Sequence, residues 1–323
     1  MSDLRDVTAI FVTFNSADVI ARTLQSVPPS MPVIIVDNAS VDDTVARARK
    51  ARPDAVIRVN TENCGFGTAL NTGSRLAKTR FVLLLNPDVL ISHAAVDALR
   101  QAADAFPRNF LFGPAMVNEA GEPVKPPRAP LFTPSHPLFK PLLRAPRRDA
   151  APPAVGGEVG WIIGAAMFVR REALRAIGGF DENIFLFFEE TDLCHRAVLA
   201  GQPPVWVPQA RVVNLEGSSS GPPAARINYF REWHYSWSQF YLLRKYNLTR
   251  QLRMQWSRPP LYLAKLGYYL ATGRAMKAAY YEGRLRGAIA SLLGEPATGR
   301  QSPWAARAGT AVAARRNSQL HSV

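Results

Sequence analysis

The sequence predicts an α/β chain: a mostly parallel central sheet flanked by helices, followed by a helical, basic C-terminal extension. Three observations predict it. Short β-branched or apolar runs alternate with helix-like segments over residues 7–105, and such alternation builds a parallel sheet with helices on its faces. Polar residues stand at or just after the ends of those runs, namely Asn15, Asp37, Asn63 and Asp88. In such sheets ligands sit at the carboxyl ends of the strands. Charge is uneven: of a net +14, residues 204–323 hold 17 Lys and Arg against 4 Asp and Glu. The front is a balanced soluble domain and the back a basic one.

Each element follows from its residues. Residues 7–13 form a first strand, and 17–26 a helix. Residues 32–36 are a second strand, ended by "DNASVDDT", which feeds a helix over 41–51. A third strand covers 55–59. "NTENCGFGTALNTGSRLAKT" supplies a glycine loop and a helix, and 80–85 a fourth strand. Residues 92–105 form a helix with Ser92 placed to cap it. Residues 122–153 are rich in proline and basic residues, as expected of a long loop within the domain. Structure resumes with a strand over 161–169, a helix over 189–200, and short strands at 205–207 and 211–214. The expected domain runs over 1–220. A helical, aromatic and basic extension follows over 221–294, with Lys and Arg among Tyr, Trp, Phe and Leu. Residues 295–323, rich in Ala, Arg, Ser and Gly, have the composition of a disordered tail.

Composition excludes several classes. Two cysteines, Cys64 and Cys194, without a CxxC pattern argue against a disulfide framework or a zinc site. The N-terminus has an acid near its start and no long apolar run, so no secretory signal is expected. No run of 18 apolar residues occurs, so no spanning helix is expected. A reducing, cytoplasmic compartment fits.

Four stretches bear chemistry. "LLLNPD" ends a buried strand at Pro87, which has no N–H for the ladder. Asn86 and Asp88 there make either a turn or a ligand or metal site. In "VDNAS", Asp37 is placed either to accept hydrogen bonds from a base or ribose or to cap the next helix. In "NCGFGTALNTG", Gly65 and Gly67 allow close backbone approach at a helix start, where an anion is favoured. The spacing is neither GxGxxG nor a P-loop. In "GGFDENIFLFFEETDLCHR", acids bracket an aromatic run. A carboxylate in that apolar setting would hold its proton more tightly and could act as a base.

"VTFN", "VDNAS", "NCGFGTALNTG", "LLLNPD", "GAAMFVRR", "GGFDE" and "FFEETDLCHR" follow in this order. Together they resemble the family-2 glycosyltransferases of the GT-A fold, particularly bacterial rhamnosyltransferase-like members, over residues 7–220. The resemblance implies an inverting enzyme that moves a sugar, L-rhamnose in the first instance, from a nucleotide-diphosphate donor to a lipid-linked or polysaccharide acceptor in cell-surface glycan synthesis. It implies that Thr13, Asn15, Asp37, Asn38, Asn63, Gly65, Asn86 and Gly164 bind the nucleotide sugar or line its pocket. Asp88 would hold a divalent cation, Mg2+ or Mn2+. Glu190 falls on the position of the catalytic base, with Glu189, Asp192 and Arg196 in support.

Two departures stand out. The DxD-type metal motif of the family reads Asn86-Pro87-Asp88, leaving one carboxylate. Asn214, in "NLEGSSS", stands where related enzymes carry a histidine; its amide oxygen suits Mg2+ better than Mn2+. These departures leave a second reading, a non-catalytic chain that binds a nucleotide sugar or glycan. The basic extension has three readings: an element lying on an anionic membrane surface, a nucleic-acid surface, or a solvated helical subdomain or dimer contact. A lipid-linked acceptor favours the membrane, at the inner face of the plasma membrane, and nucleic acid is not an expected partner.

Overall fold

The computed structural model describes residues 3–124, 156–215 and 225–297. Most of the expected proline-rich loop and all but the start of the expected tail lie outside the described residues. The described chain divides into two units. The first runs to Thr61, then Phe66–Asp181, and resumes at Glu189; the second holds Glu62–Gly65, Glu182–Phe188 and the helices from Ala225 onward.

The first unit contains β1 (Val7–Thr13), α1 (Ile20–Ser26), β2 (Val33–Asp37), α2 (Thr44–Ala51), β3 (Val56–Val59), α3 (Phe66–Leu76), β4 (Phe81–Leu85), β5 (Val89–Leu90), α4 (His93–Ala105), β6 (Leu111–Val117), β7 (Gly157–Glu158), β8 (Ala166–Arg170), α5 (Arg171–Ala176), α6 (Glu189–Leu199) and β9 (Val205–Asn214). They form one sheet of order β3-β2-β1-β4-β8-β6-β9-β5, with β7 on β9. Every residue of β1, β2 and β4 is buried. Continuous apolar runs are what a strand covered on both faces requires. Ser92 caps α4 as expected, its Oγ accepting from Ala95 N at 3.2 Å.

The parallel reading holds for the front half only. β1 pairs β2 and β4 in parallel, and β2 pairs β3 likewise. Beyond β4 the sheet is mixed: β8 is antiparallel to both β4 and β6, while β6 and β9 are parallel. Among the described residues no helix stands between β6 and β8, and an antiparallel pair needs no crossover.

β5, β7 and α5 were not expected, and three further elements differ. β6, "LFGPAMV", was not expected, because Gly113 and Pro114 punctuate it like a loop. Gly113 is required by packing: a Cβ there would lie 2.6 Å from Ile162 Cγ2. The strand expected over 161–169 begins only at Ala166, leaving 161–165 to shape the sheet's end. The two short strands after 204 are one strand, β9, whose register against β6 jumps from Val207 to Arg211. Pro208 cannot donate to a ladder, so the strand bulges there and resumes.

The second unit holds α7 (Ala225–Lys245), α8 (Thr249–Gln255), α9 (Arg258–Ala271) and α10 (Ala275–Leu293). α7 and α10 pack closely because Gly283 and Gly287 face the Tyr229 and Trp233 backbone with no Cβ between.

Candidate active site

The register brings strand tips together. Thr13 at the end of β1 lies opposite Asp37 at the end of β2, and Asp37 opposite Val59 of β3. Thr13 Oγ1 donates to Asp37 Oδ1 at 2.8 Å, Ser40 Oγ donates to the same oxygen at 2.5 Å, and Ser40 N donates to Oδ2 at 2.8 Å. Asp37 has no exposed surface. Its carboxylate therefore binds the two loops to each other. The capping alternative does not apply, since α2 starts at Thr44 and it is Asp42 Oδ1 that accepts from Thr44 N at 3.1 Å. Asn38 is also buried, its Oδ1 accepting from Asn60 Nδ2 at 2.9 Å.

Asn15 is the exposed member of this group. Its Oδ1 accepts from Val41 N, and its own N–H donates to Ser40 Oγ, both at 2.9 Å. Asn15 and Ala39 take φ of 50° and 61°. That conformation is strained for Ala, and such strain gathers where a loop is held for a purpose.

Asn86-Pro87-Asp88 forms a pinned turn at the end of β4. Asn86 N–H donates to Ala165 O at 2.9 Å, Thr23 Oγ1 donates to Pro87 O at 2.6 Å, and Leu215 N–H donates to Asp88 O at 2.9 Å. β5 then pairs with β9, placing Val89 opposite Asn214. Asp88 and Asn214 are thus brought to the same short stretch of sheet edge. Asn214 Oδ1 is buried without a hydrogen-bond partner among the described residues. A carboxylate and a spare amide oxygen are hard donors, a set that fits Mg2+ or Mn2+ completed by phosphate and water. Among the described residues no group of three His, Cys, Asp or Glu could hold a metal unaided.

The residues before β8 meet the start of α6. A Cβ on Gly164 would lie 3.1 Å from Glu190 Cβ and 3.2 Å from Cγ. Trp161 Nε1 donates to Thr191 Oγ1 at 3.1 Å, and Thr191 Oγ1 donates to Glu190 Oε1 at 3.4 Å. Burial raises the proton affinity of Glu190 above the ordinary carboxylate value, and the Thr191 and Trp161 bonds oppose that rise. Glu189 is buried, with Oε2 unpartnered among the described residues. Burial, then the Glu190 charge, push it well above the usual range.

Asp192 and Arg196 hold α6 to the preceding bend. Arg196 Nε donates to Asp192 Oδ2 at 2.8 Å, Nη1 to Ile177 O at 2.8 Å and Nη2 to Gly179 O at 2.6 Å. Asn71 of α3 clamps the same bend: its Nδ2 donates to Phe180 O at 2.9 Å and its Oδ1 accepts from Phe180 N at 2.8 Å. Asn71, Trp161 and Thr191 were missed from the sequence. Asn71 carried a signal, being the polar residue among the otherwise apolar or glycine buried positions of α3.

Asn63 and Gly65 fall in the other unit. Gly65 N–H donates to Asn63 Oδ1 at 3.0 Å. Gly65 has φ of 91°, and a Cβ there would lie 2.6 Å from Phe185 O. Phe187 and Phe188, just before α6 in the chain, take φ of 67° and 69° and pack on Tyr235.

The model of glycosyl transferase family 2 matches residues 8–178. An N-acetylglucosaminyl-diphospho-decaprenol L-rhamnosyltransferase of Mycobacterium tuberculosis is 30% identical over 253 residues, 70% of this chain and 81% of that protein. A pre-mycofactocin glycosyltransferase of the same organism is 30% identical over 204 residues, 61% of this chain and 40% of that one. Among solved structures, a mannosyltransferase from Pyrobaculum calidifontis in complex with GDP-Man and Mn2+ aligns with a TM-score of 0.54 at 18% identity, over 90% of this chain and 88% of that one.

The fold is that of the GT-A glycosyltransferases. The chain belongs to glycosyl transferase family 2, and it is an enzyme of that class.

Proposed function

We propose that the protein is an inverting glycosyltransferase that moves L-rhamnose from a nucleoside-diphosphate donor to a polyprenyl-diphosphate-linked or polysaccharide acceptor, at the inner face of the plasma membrane. The observation that carries the mechanism is Glu190. It is a carboxylate of raised proton affinity, held against Gly164 and oriented through Thr191.

In this reading Glu190 removes the proton from the acceptor hydroxyl as that oxygen attacks the anomeric carbon from the face opposite the diphosphate. The carbon–oxygen bond to the diphosphate breaks, and the nucleoside diphosphate leaves with the bonding pair. Configuration inverts in one step, without a covalent nucleophile. Asp88, with Asn214 beside it, would hold a divalent cation. When bound, that cation supplies charge neutralisation to the diphosphate. Asp37, Thr13 and Asn38 give the nucleotide loop its shape, Asn15 presents its exposed edge, and Asn86 completes the donor side. Gly164 leaves room for the acceptor-side carboxylate. The rhamnosyltransferase relative supports the choice of sugar and of a lipid-linked acceptor.

The test is a transfer assay with dTDP-L-rhamnose and an N-acetylglucosaminyl-diphospho-polyprenol, reading the anomeric configuration of the product by NMR. The expected product carries rhamnose of opposite configuration to the donor; retention of configuration would contradict the mechanism. For the cation, EDTA treatment and Asp88→Asn are each expected to weaken nucleotide-sugar binding at least about tenfold, a loss of ~1.4 kcal/mol. Full affinity after EDTA treatment would remove Asp88 from that role.

A further inference from the structure

α9 is built inside out. A surface helix ordinarily turns its apolar stripe to the protein and its charges to water. In α9 every exposed position is an apolar side chain, Gly267 or Tyr268. Leu263 is 59% exposed, Leu270 64% and Tyr268 56%. The helix's own cations turn the other way: Arg258 and Lys265 are half-buried, and Lys265 Nζ donates to Tyr281 Oη on α10 at 3.2 Å. Tyr269 stacks on the same Tyr281 ring, 5.5 Å between centroids. Just before the helix, Trp256 is 52% exposed.

A continuous apolar face of this kind marks an interaction site. Its surroundings say of what kind. From Thr249 to Tyr281 the chain holds six Lys or Arg and no Asp or Glu. Arg250, Arg253, Arg274 and Lys277 are exposed around the apolar face. A two-fold dimer through this surface would set the same cations against each other. An anionic bilayer answers both features: acyl chains take the leucines, headgroup charge takes the basic rim, and Trp256 suits the interface. α9, with 14 residues, is about 21 Å long, too short to span the hydrocarbon core. Among the described residues no helix is long and apolar enough to cross a membrane.

We infer that α9 is a monotopic membrane-docking helix that lies in the plane of an anionic lipid surface, with Leu263 and Leu270 inserted and Arg250, Arg253, Arg274 and Lys277 on the headgroups. The inference rests on the surface of α9 and not on the transfer chemistry.

The experiment is flotation of the full chain with vesicles of phosphatidylcholine alone or mixed with phosphatidylglycerol, alongside sedimentation velocity without lipid. The wild type is expected to float with the anionic vesicles, more weakly with neutral ones, and less as salt is raised. Leu263→Glu with Leu270→Glu is expected to lower partitioning roughly a hundredfold, the loss of two inserted leucines, with thermal melting unchanged. Arg274→Glu with Lys277→Glu is expected to abolish the preference for anionic vesicles. Glu190→Gln is expected to float like wild type, so a failure of the catalytic reading is told apart from a failure of this one. Undiminished flotation of the leucine variant would overturn the inference. So would a wild-type dimer in lipid-free solution that the leucine variant splits.

Discussion

The Cα of Gly164 faces the stem of Glu190 so closely that a methyl group there would stand 3.1 Å from Glu190 Cβ and 3.2 Å from Cγ. Those separations are tight for ordinary carbon contacts, so Gly164→Ala shifts the carboxylate by a few tenths of an ångström while leaving the backbone conformation allowed. A misplaced general base loses rate more than binding. The expected result is a fall in kcat of about tenfold or more with the dissociation constant of the donor unchanged, measured by steady-state kinetics and calorimetry.

Thr191 and Trp161 both bear on Glu190: Trp161 donates to Thr191, Thr191 donates to the carboxylate, and a Trp161 bond also favours the charged form. Hydrogen bonds to a carboxylate favour its ionised form. Thr191→Val removes that support while burial remains, so Glu190 holds its proton to higher pH. The acidic limb of the kcat–pH profile is expected to move upward, and Thr191→Ser to restore it. Glu189, Asp192, Cys194 and Arg196 lie on the same helix and are unchanged in these variants, which leaves the limb's position to report on Thr191.

Glu189 bears on stability. Burial and the neighbouring Glu190 charge raise its proton affinity well above that of the unfolded chain. Between the unfolded and folded values the native state binds the extra proton, so stability falls as pH rises through that window. Glu189→Gln removes the carboxylate and keeps the shape. Its melting temperature is expected to exceed the wild type's at mildly alkaline pH and to converge on it in acid. A difference independent of pH would contradict the assignment.

The front of the sheet was legible because β1, β2 and β4 are unbroken apolar runs and their polar ends cluster in one place. The back was not. β6 contains Gly113 and Pro114, whose reasons are a packed Ile162 and a register jump against β9, and neither is a local signal. In the candidate site, Glu190, Asp88 and Asn214 could be proposed from the order of motifs and the resemblance it carries. Trp161 and Thr191 could not, because a hydrogen bond between residues 30 apart depends on how 161–165 leave the sheet. Asp37 stood out as a candidate, but its burial against Thr13 and Ser40 was invisible in a pattern that shows only an acid at a strand end.

The most direct measurement is the turnover of Glu190→Gln with the nucleotide sugar and a lipid-linked acceptor under single-turnover conditions. A positioned general base contributes about 10²–10⁴-fold. The expected result is a rate lower by that factor, with donor affinity and melting behaviour close to wild type. A rate near wild type would contradict the assignment of Glu190 as the group that takes the acceptor's proton.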